Sequence, residues 1–178
     1  MTHALRTALL AAAVSAPFIA PAAANDSDKL FFEGVQGVWT GPGEIVAGKY
    51  KGTKFTCKLN GTTPAGKVGM TLDGSCRVGV FSQKMSASVE RKGRAYRGRF
   101  LDGAAGEGLD IVAGQVAGRK VSLAISRKDL NANMSARLSG SDAMNVTVSV
   151  RVDSQMVRVI AMDLKRIDGG PVGPVAEE

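Results

Sequence analysis

The chain has 178 residues, a formal net charge of +7, a pI of about 9.7 and only 5% aromatic residues. That length fits one domain with a core of ordinary size. The shortage of aromatics leaves few platforms on which bases could stack, so no nucleic-acid partner is expected.

The first 24 residues hold Arg6, an apolar run from Ala8 to Ala20, and the small residues Ala22-Ala23-Ala24. This order predicts a secretory signal segment cut between Ala24 and Asn25. The apolar run is shorter than the roughly 20 residues a membrane span needs, and no other segment reaches that length. No cysteine stands at the cut to carry a lipid anchor. The expected destination is the periplasm of a bacterium, or the medium.

Cleavage also removes His3, the one histidine of the chain. Residues 25–178 then hold no imidazole base, no Ser-His-Asp or Cys-His nucleophile and no His-based zinc or haem site. The remaining Ser, Lys, Tyr and acidic residues form no recognisable catalytic constellation. The protein therefore reads as non-enzymatic, with no metal and no cofactor.

A short helix is predicted from Asp28 to Val35, stopped near Gly37. Beyond Trp39 the apolar period changes from helical to two. The clearest case runs from Met144 to Asp153, with Met144, Val146, Val148, Val150 and Val152 on one face and Asn145, Thr147, Ser149, Arg151 and Asp153 on the other. About ten such runs follow one another: 38–47, 52–60, 67–73, 76–80, 83–91, 94–102, 108–116, 119–127, 132–139 with 143–153 as one bent strand or two, and 156–167. Turns are expected at Asn60-Gly61, Asp73-Gly74, Lys92-Gly93, Asp102-Gly103, Gly118-Arg119 and Ser139-Gly140-Ser141. No helical segment is long enough for a parallel crossover, so the sheet is antiparallel and meandering. Gly69, Gly79, Gly98 and Gly114 fall inside strand patterns, where they suggest the bulges and bends of a coiled barrel wall.

The expected fold is thus all-β: an antiparallel up-and-down barrel of about 8–10 strands over residues 25–168, with a short N-terminal helix and a disordered Pro/Gly-rich tail at 169–178. A β-sandwich is the alternative. Cys57 and Cys76, two thiols in an exported chain without C-x-x-C spacing, are expected to form one disulfide. Six methionines after Met1 lie in strand runs, where flexible thioethers suit an irregular core or an adaptable cavity.

Trp39 is the only tryptophan. The order short helix, then Gly37-Val38-Trp39 at the first strand, resembles the entry of calycin barrels, the group that includes lipocalins. That resemblance implies that Trp39 plugs the bottom of the barrel; the other reading of Trp39 is as the lining of a cavity. The pattern Trp39, then Cys57 in Phe55-Thr56-Cys57-Lys58-Leu59, then Cys76 after Leu72-Asp73-Gly74-Ser75, is similar to bacterial one-disulfide inhibitors of alkaline metalloproteases. That similarity implies that a segment at Asn25–Leu30 enters a protease cleft. It covers only about residues 34–80, and no second tryptophan follows the second cysteine.

The densest charge is Arg91-Lys92-Gly93-Arg94-Ala95-Tyr96-Arg97-Gly98-Arg99. Alternation places Tyr96 on one face and Arg97 and Arg99 on the other. Arg91, Lys92, Arg94, Arg97 and Arg99 form either a solvated outer face or a patch for anionic partners. The expected function is binding of a small apolar or amphipathic ligand, or of an anionic envelope lipid or polysaccharide. Protease inhibition and a structural role in the envelope are the alternatives.

Overall fold

The computed structural model describes residues 23–101 and 109–168. The residues before 23, the predicted turn at Asp102-Gly103 and the predicted tail at 169–178 lie outside the described residues. One helix, α1 (Ala23–Glu33), precedes ten strands: β1 (Gly37–Ile45), β2 (Lys54–Thr62), β3 (Gly69–Val78), β4 (Phe81–Lys92), β5 (Ala95–Leu101), β6 (Leu109–Ala117), β7 (Lys120–Arg127), β8 (Leu130–Ser139), β9 (Ala143–Val152) and β10 (Gln155–Arg166). Each strand pairs antiparallel with its sequence neighbours, and β1 also pairs β10, which closes the sheet into a barrel. Closure leaves no strand edge open to another chain.

The up-and-down order gives the barrel two different ends. Helix α1 and the turns β2–β3, β4–β5, β6–β7 and β8–β9 sit at one end. The connections β1–β2, β3–β4, β7–β8 and β9–β10, with the end of β5 and the start of β6, sit at the other, which we call the mouth. Helix α1 forms because Asp28, Phe31, Phe32 and Val35 recur at i, i+3, i+4 and i+7, one face of a helix continued by a turn. All four are buried, so this face covers the first end of the barrel.

The strand reading needs correction at two turn signals. Asp73-Gly74 lies in mid-strand, with Asn60 opposite Asp73 and Leu59 opposite Gly74, so the runs 67–73 and 76–80 are the single strand β3. Asn60-Gly61 is likewise inside β2. These glycines serve close approach: a Cβ on Gly74 would collide with the carbonyl of Lys58, and one on Gly61 with the carbonyl of Val35. Gly79, by contrast, leaves the strand and turns the β3–β4 hairpin at φ 56°. The bent-or-double run 132–153 is two strands, β8 and β9. The register shifts fall at Val112 and Val159, not at the four strand glycines.

Cys57 and Cys76 stand directly opposite in the β2–β3 register and form the disulfide. The bond closes a loop with a sequence separation of 19. In the chain-entropy picture that loop contributes about 3 kcal/mol. Reduction is therefore expected to lower the urea midpoint by an amount equivalent to about 3 kcal/mol, measured by circular dichroism with and without reductant. An unchanged midpoint would show that strand pairing alone holds this wall.

Candidate functional site

The inward faces are buried at the helix end of the barrel and, on several strands, increasingly exposed towards the other end. At the helix end Trp39 is 0% exposed, and its indole N–H donates to the carbonyl of Val35 at 2.8 Å. The Arg166 guanidinium lies over the ring, 4.3 Å from its centroid. Arg166 in turn donates from Nη2 to the Gly34 carbonyl at 2.7 Å and from Nε to the Ser141 carbonyl at 2.9 Å. One side chain thus ties β10, the β8–β9 turn and the helix exit to the face of the tryptophan. Gly37 makes room for it: its φ is 109°, and a Cβ there would stand 2.6 Å from Arg166 Nη1 and 2.5 Å from Asp168 Oδ1. The Asp168 carboxylate accepts from the Val38 N–H at 2.7 Å.

A second polar cluster fixes the helix. Asp28 Oδ2 accepts from the Tyr96 hydroxyl at 2.5 Å and from Arg91 Nη1 at 3.1 Å. Burial, then the hydrogen bond and negative charge of Asp28, hold the Tyr96 phenol well above the ordinary phenol range, with Arg91 opposing. Phe32 packs on Tyr96 at 5.6 Å between ring centroids.

Towards the mouth the same inward faces become wet. Along β9, Met144 and Val146 are buried, Val148 and Val150 are half-buried, and Val152 is 53% exposed. Along β8 the series Leu138, Ala136, Met134, Ala132, Leu130 runs the same way, and along β4 so does Val89, Ala87, Met85, Gln83, Phe81. The gradient belongs to these three strands: on β6 and β7, Ile111 and Ile125 stay 3% exposed close to the same end. The half-buried wall is apolar and soft: Phe55, Met85, Met134 and Met162 pack against the core, and Met162 Sδ touches the disulfide at 3.9 Å from Cys57 Sγ. Gly43 leaves space on this wall for the Phe55 ring and Met162, whose Cγ would stand 2.8 Å from a Cβ at that position. Arg127, half-buried and opposite Leu130 in the register, is a cation at the lip.

The basic run is divided by the fold. Arg91 occupies an inward-facing position of β4 and pairs with Asp28, which takes it off the outer face. Arg97 donates from Nη1 to the Tyr96 carbonyl at 3.0 Å and to the Val112 carbonyl. Val112 is the bulged residue of β6, so Arg97 satisfies a carbonyl that the sheet ladder leaves out. Arg99 stands 4.0 Å from Asp110. Lys92 and Arg97 do line one open depression of about 320 Å³ on the outer wall, shared with Thr71, Ser88 and Glu90. Glu90 already pairs with Lys67 at 3.3 Å. Lys92 and Arg94 remain exposed near the β4–β5 turn. Among the described residues no cluster of His, Cys, Asp and Glu could hold a metal ion.

The class that the fold defines is a closed ten-stranded antiparallel barrel with one short helix at one end and one disulfide. Neither a family model nor a curated protein matches the sequence. Among solved structures, the chain is similar to Rv2717c from M. tuberculosis, known from a crystal structure, with a TM-score of 0.61 and 14% identity over 79% of this chain and 98% of that one. At that identity the likeness is one of fold.

Proposed function

We propose that the protein is an exported, non-enzymatic binding protein whose barrel takes a small apolar or amphipathic ligand at the mouth. The observation that carries this reading is the exposure gradient on the inward faces of β4, β8 and β9, whose half-buried stretch is lined by Met85, Ala132, Met134, Val148 and Val150. Concave apolar sites with few polar groups are the usual form of small-ligand sites. Methionines let such a wall adapt to its occupant, and Arg127 at the lip suits the anionic head of an amphiphile. The disulfide fits an oxidising compartment, as does the signal-like N-terminus.

The other readings have less support. An anionic partner on the outer basic face would meet only Lys92 and Arg94 unengaged, because Arg91 pairs with Asp28, Arg97 holds two carbonyls and Arg99 stands beside Asp110. An inhibitor of the calycin-like metalloprotease-inhibitor kind needs a free N-terminal segment. Here Asp28 binds that segment to Arg91 and Tyr96.

Native mass spectrometry of the protein purified from its host's envelope fraction tests the proposal. The expected spectrum carries a small mass that leaves on denaturation, and the double variant Met134→Trp/Met162→Trp, which fills the half-buried stretch, carries none. An empty wild-type protein that also fails to enhance the fluorescence of an apolar naphthalene dye would remove the ligand reading.

A further inference from the structure

The rim of the mouth is apolar. Most of the large hydrophobic side chains exposed among the described residues gather there: Val80 (89%), Phe81 (79%), Tyr50 (63%), Val152, Met156 and Leu130. They sit on four connections, β1–β2, β3–β4, β7–β8 and β9–β10, and on the strand ends that flank them. Exposed apolar groups scattered over a surface need no explanation, but a ring of them around one opening does.

Cations surround that ring. Lys49 and Lys51 flank Tyr50, and Lys49 Nζ lies 5.5 Å from its ring centroid. Arg77 and Lys84 flank the Val80-Phe81 tip, Lys128 forms the β7–β8 turn, and Arg151 stands opposite Met156. Lys49, Lys51, Arg77, Lys84, Lys128 and Arg151 are all exposed, and no ion pair engages any of them among the described residues. Among the described residues the acids of this end are Asp129 and Asp153 at two turns, Glu44 opposite Lys54 in the register, and Asp110 beside Arg99. Among the described residues the balance at the mouth is positive.

Lys128 and Asp153 also adopt left-handed backbone, with φ of 50° and 52°, where glycine would be cheaper. Side chains are kept at tips whose geometry favours having none.

We infer that the mouth docks on an anionic lipid bilayer. Val80 and Phe81 enter the acyl boundary, Tyr50 lies at headgroup depth, and the six cations face lipid phosphates. Charge complementarity selects this occupant. A second copy of this chain would bring two positive rings together, whereas an anionic surface gains about fivefold in affinity for each lysine or arginine it receives. Aromatic residues beside cations are the usual composition of an interfacial anchor. Docking by the mouth also places the opening of the barrel against the membrane, so an apolar ligand would pass between the two without crossing water.

The test is flotation of the protein with vesicles of phosphatidylcholine alone or mixed with phosphatidylglycerol. The wild-type protein is expected to float with the mixed vesicles only, and less at high salt. Val80→Ser/Phe81→Ser should lose most of that binding, and Lys49→Gln/Lys51→Gln should weaken it by about fivefold per charge removed. Arg94→Gln/Arg99→Gln, on the outer wall, should float as the wild type does. Both mouth variants change exposed side chains, so circular dichroism should match the wild type. Phe81→Trp gives a direct reading, as its emission should shift to the blue on mixed vesicles. The inference is overturned if the wild type stays unbound, if serine at Val80 and Phe81 leaves flotation intact, if the Arg94/Arg99 variant abolishes it, or if the mouth mediates a dimer that ignores vesicles. Because the vesicles carry no added ligand, failure here leaves the ligand reading to its own mass spectrum.

Discussion

Trp39→Ala is expected to lower the unfolding free energy by about 4 kcal/mol, a large part of the roughly 5–15 kcal/mol that holds a domain together. Three losses combine. Removing a fully buried ring leaves a void at the closed end, where Val35, Leu164 and the helix face have little freedom to collapse. The Val35 carbonyl loses its indole donor. The Arg166 guanidinium loses the aromatic face over which it is held, and it stays anchored to Gly34 and Ser141 with a cavity beneath it. Trp39→Phe separates these terms. It keeps most of the volume and a face for Arg166 but deletes the donor, and should cost about 1–2 kcal/mol. The contribution of the cation over the ring is read from a double-mutant cycle with Arg166→Met, where a coupling of about 1 kcal/mol is expected. Urea unfolding followed by far-ultraviolet circular dichroism measures all five proteins: the wild type, the two Trp39 variants, Arg166→Met and the double variant Trp39→Ala/Arg166→Met. A loss below about 1 kcal/mol for the alanine variant would mean that the closed end is not the packed plug that its burial indicates.

Much of this arrangement could be read from the sequence, and the parts that could not share a physical cause. Period-two alternation is a local signal, so strands such as β7 and β9 and the helix face Asp28-Phe31-Phe32-Val35 follow from a few residues each. Gly-x-Trp was legible as a motif, but its reason was not. Gly37 is required because Arg166, far along the chain, reaches across it to cover Trp39. Asn60-Gly61 and Asp73-Gly74 carry strong turn chemistry in isolation. They became strand interiors because the helix exit and the β2 backbone approach them more closely than any side chain would allow. The run Arg91–Arg99 looked like one patch because charge density is visible in one dimension. Alternation and a bulge then sent Arg91 to Asp28 and Arg97 to the Val112 carbonyl. The mouth was the least legible feature, since Tyr50, Val80, Leu130 and Val152 are brought together only by knowing which turns share an end of the barrel.

The cluster that replaces the expected patch has its own consequence at high pH. In the folded protein the Tyr96 phenol is buried and donates to Asp28, and its titration lies well above that of an exposed phenol. In the unfolded chain it titrates near its ordinary value of about 10. Above that pH the unfolded state releases a proton that the folded state retains, so stability is complete below about pH 10 and falls as pH rises further. Tyr96→Phe should flatten this alkaline fall, at a cost near neutral pH of about 1–2 kcal/mol for the lost hydrogen bond to a carboxylate. Asp28→Ala should do more harm. It strands the Arg91 guanidinium, whose side chain is only 20% exposed, and frees the helix face from β4 and β5. The expected loss is about 3 kcal/mol, together with earlier proteolysis of α1. Unfolding free energies of the three proteins between neutral pH and pH 11 decide the matter. If Tyr96→Phe keeps the full alkaline slope, the phenol is not the group that loses its proton on unfolding. If Asp28→Ala leaves α1 protected, then Phe31, Phe32 and Val35 alone hold the cap, and the polar cluster sets only the helix's register on the barrel.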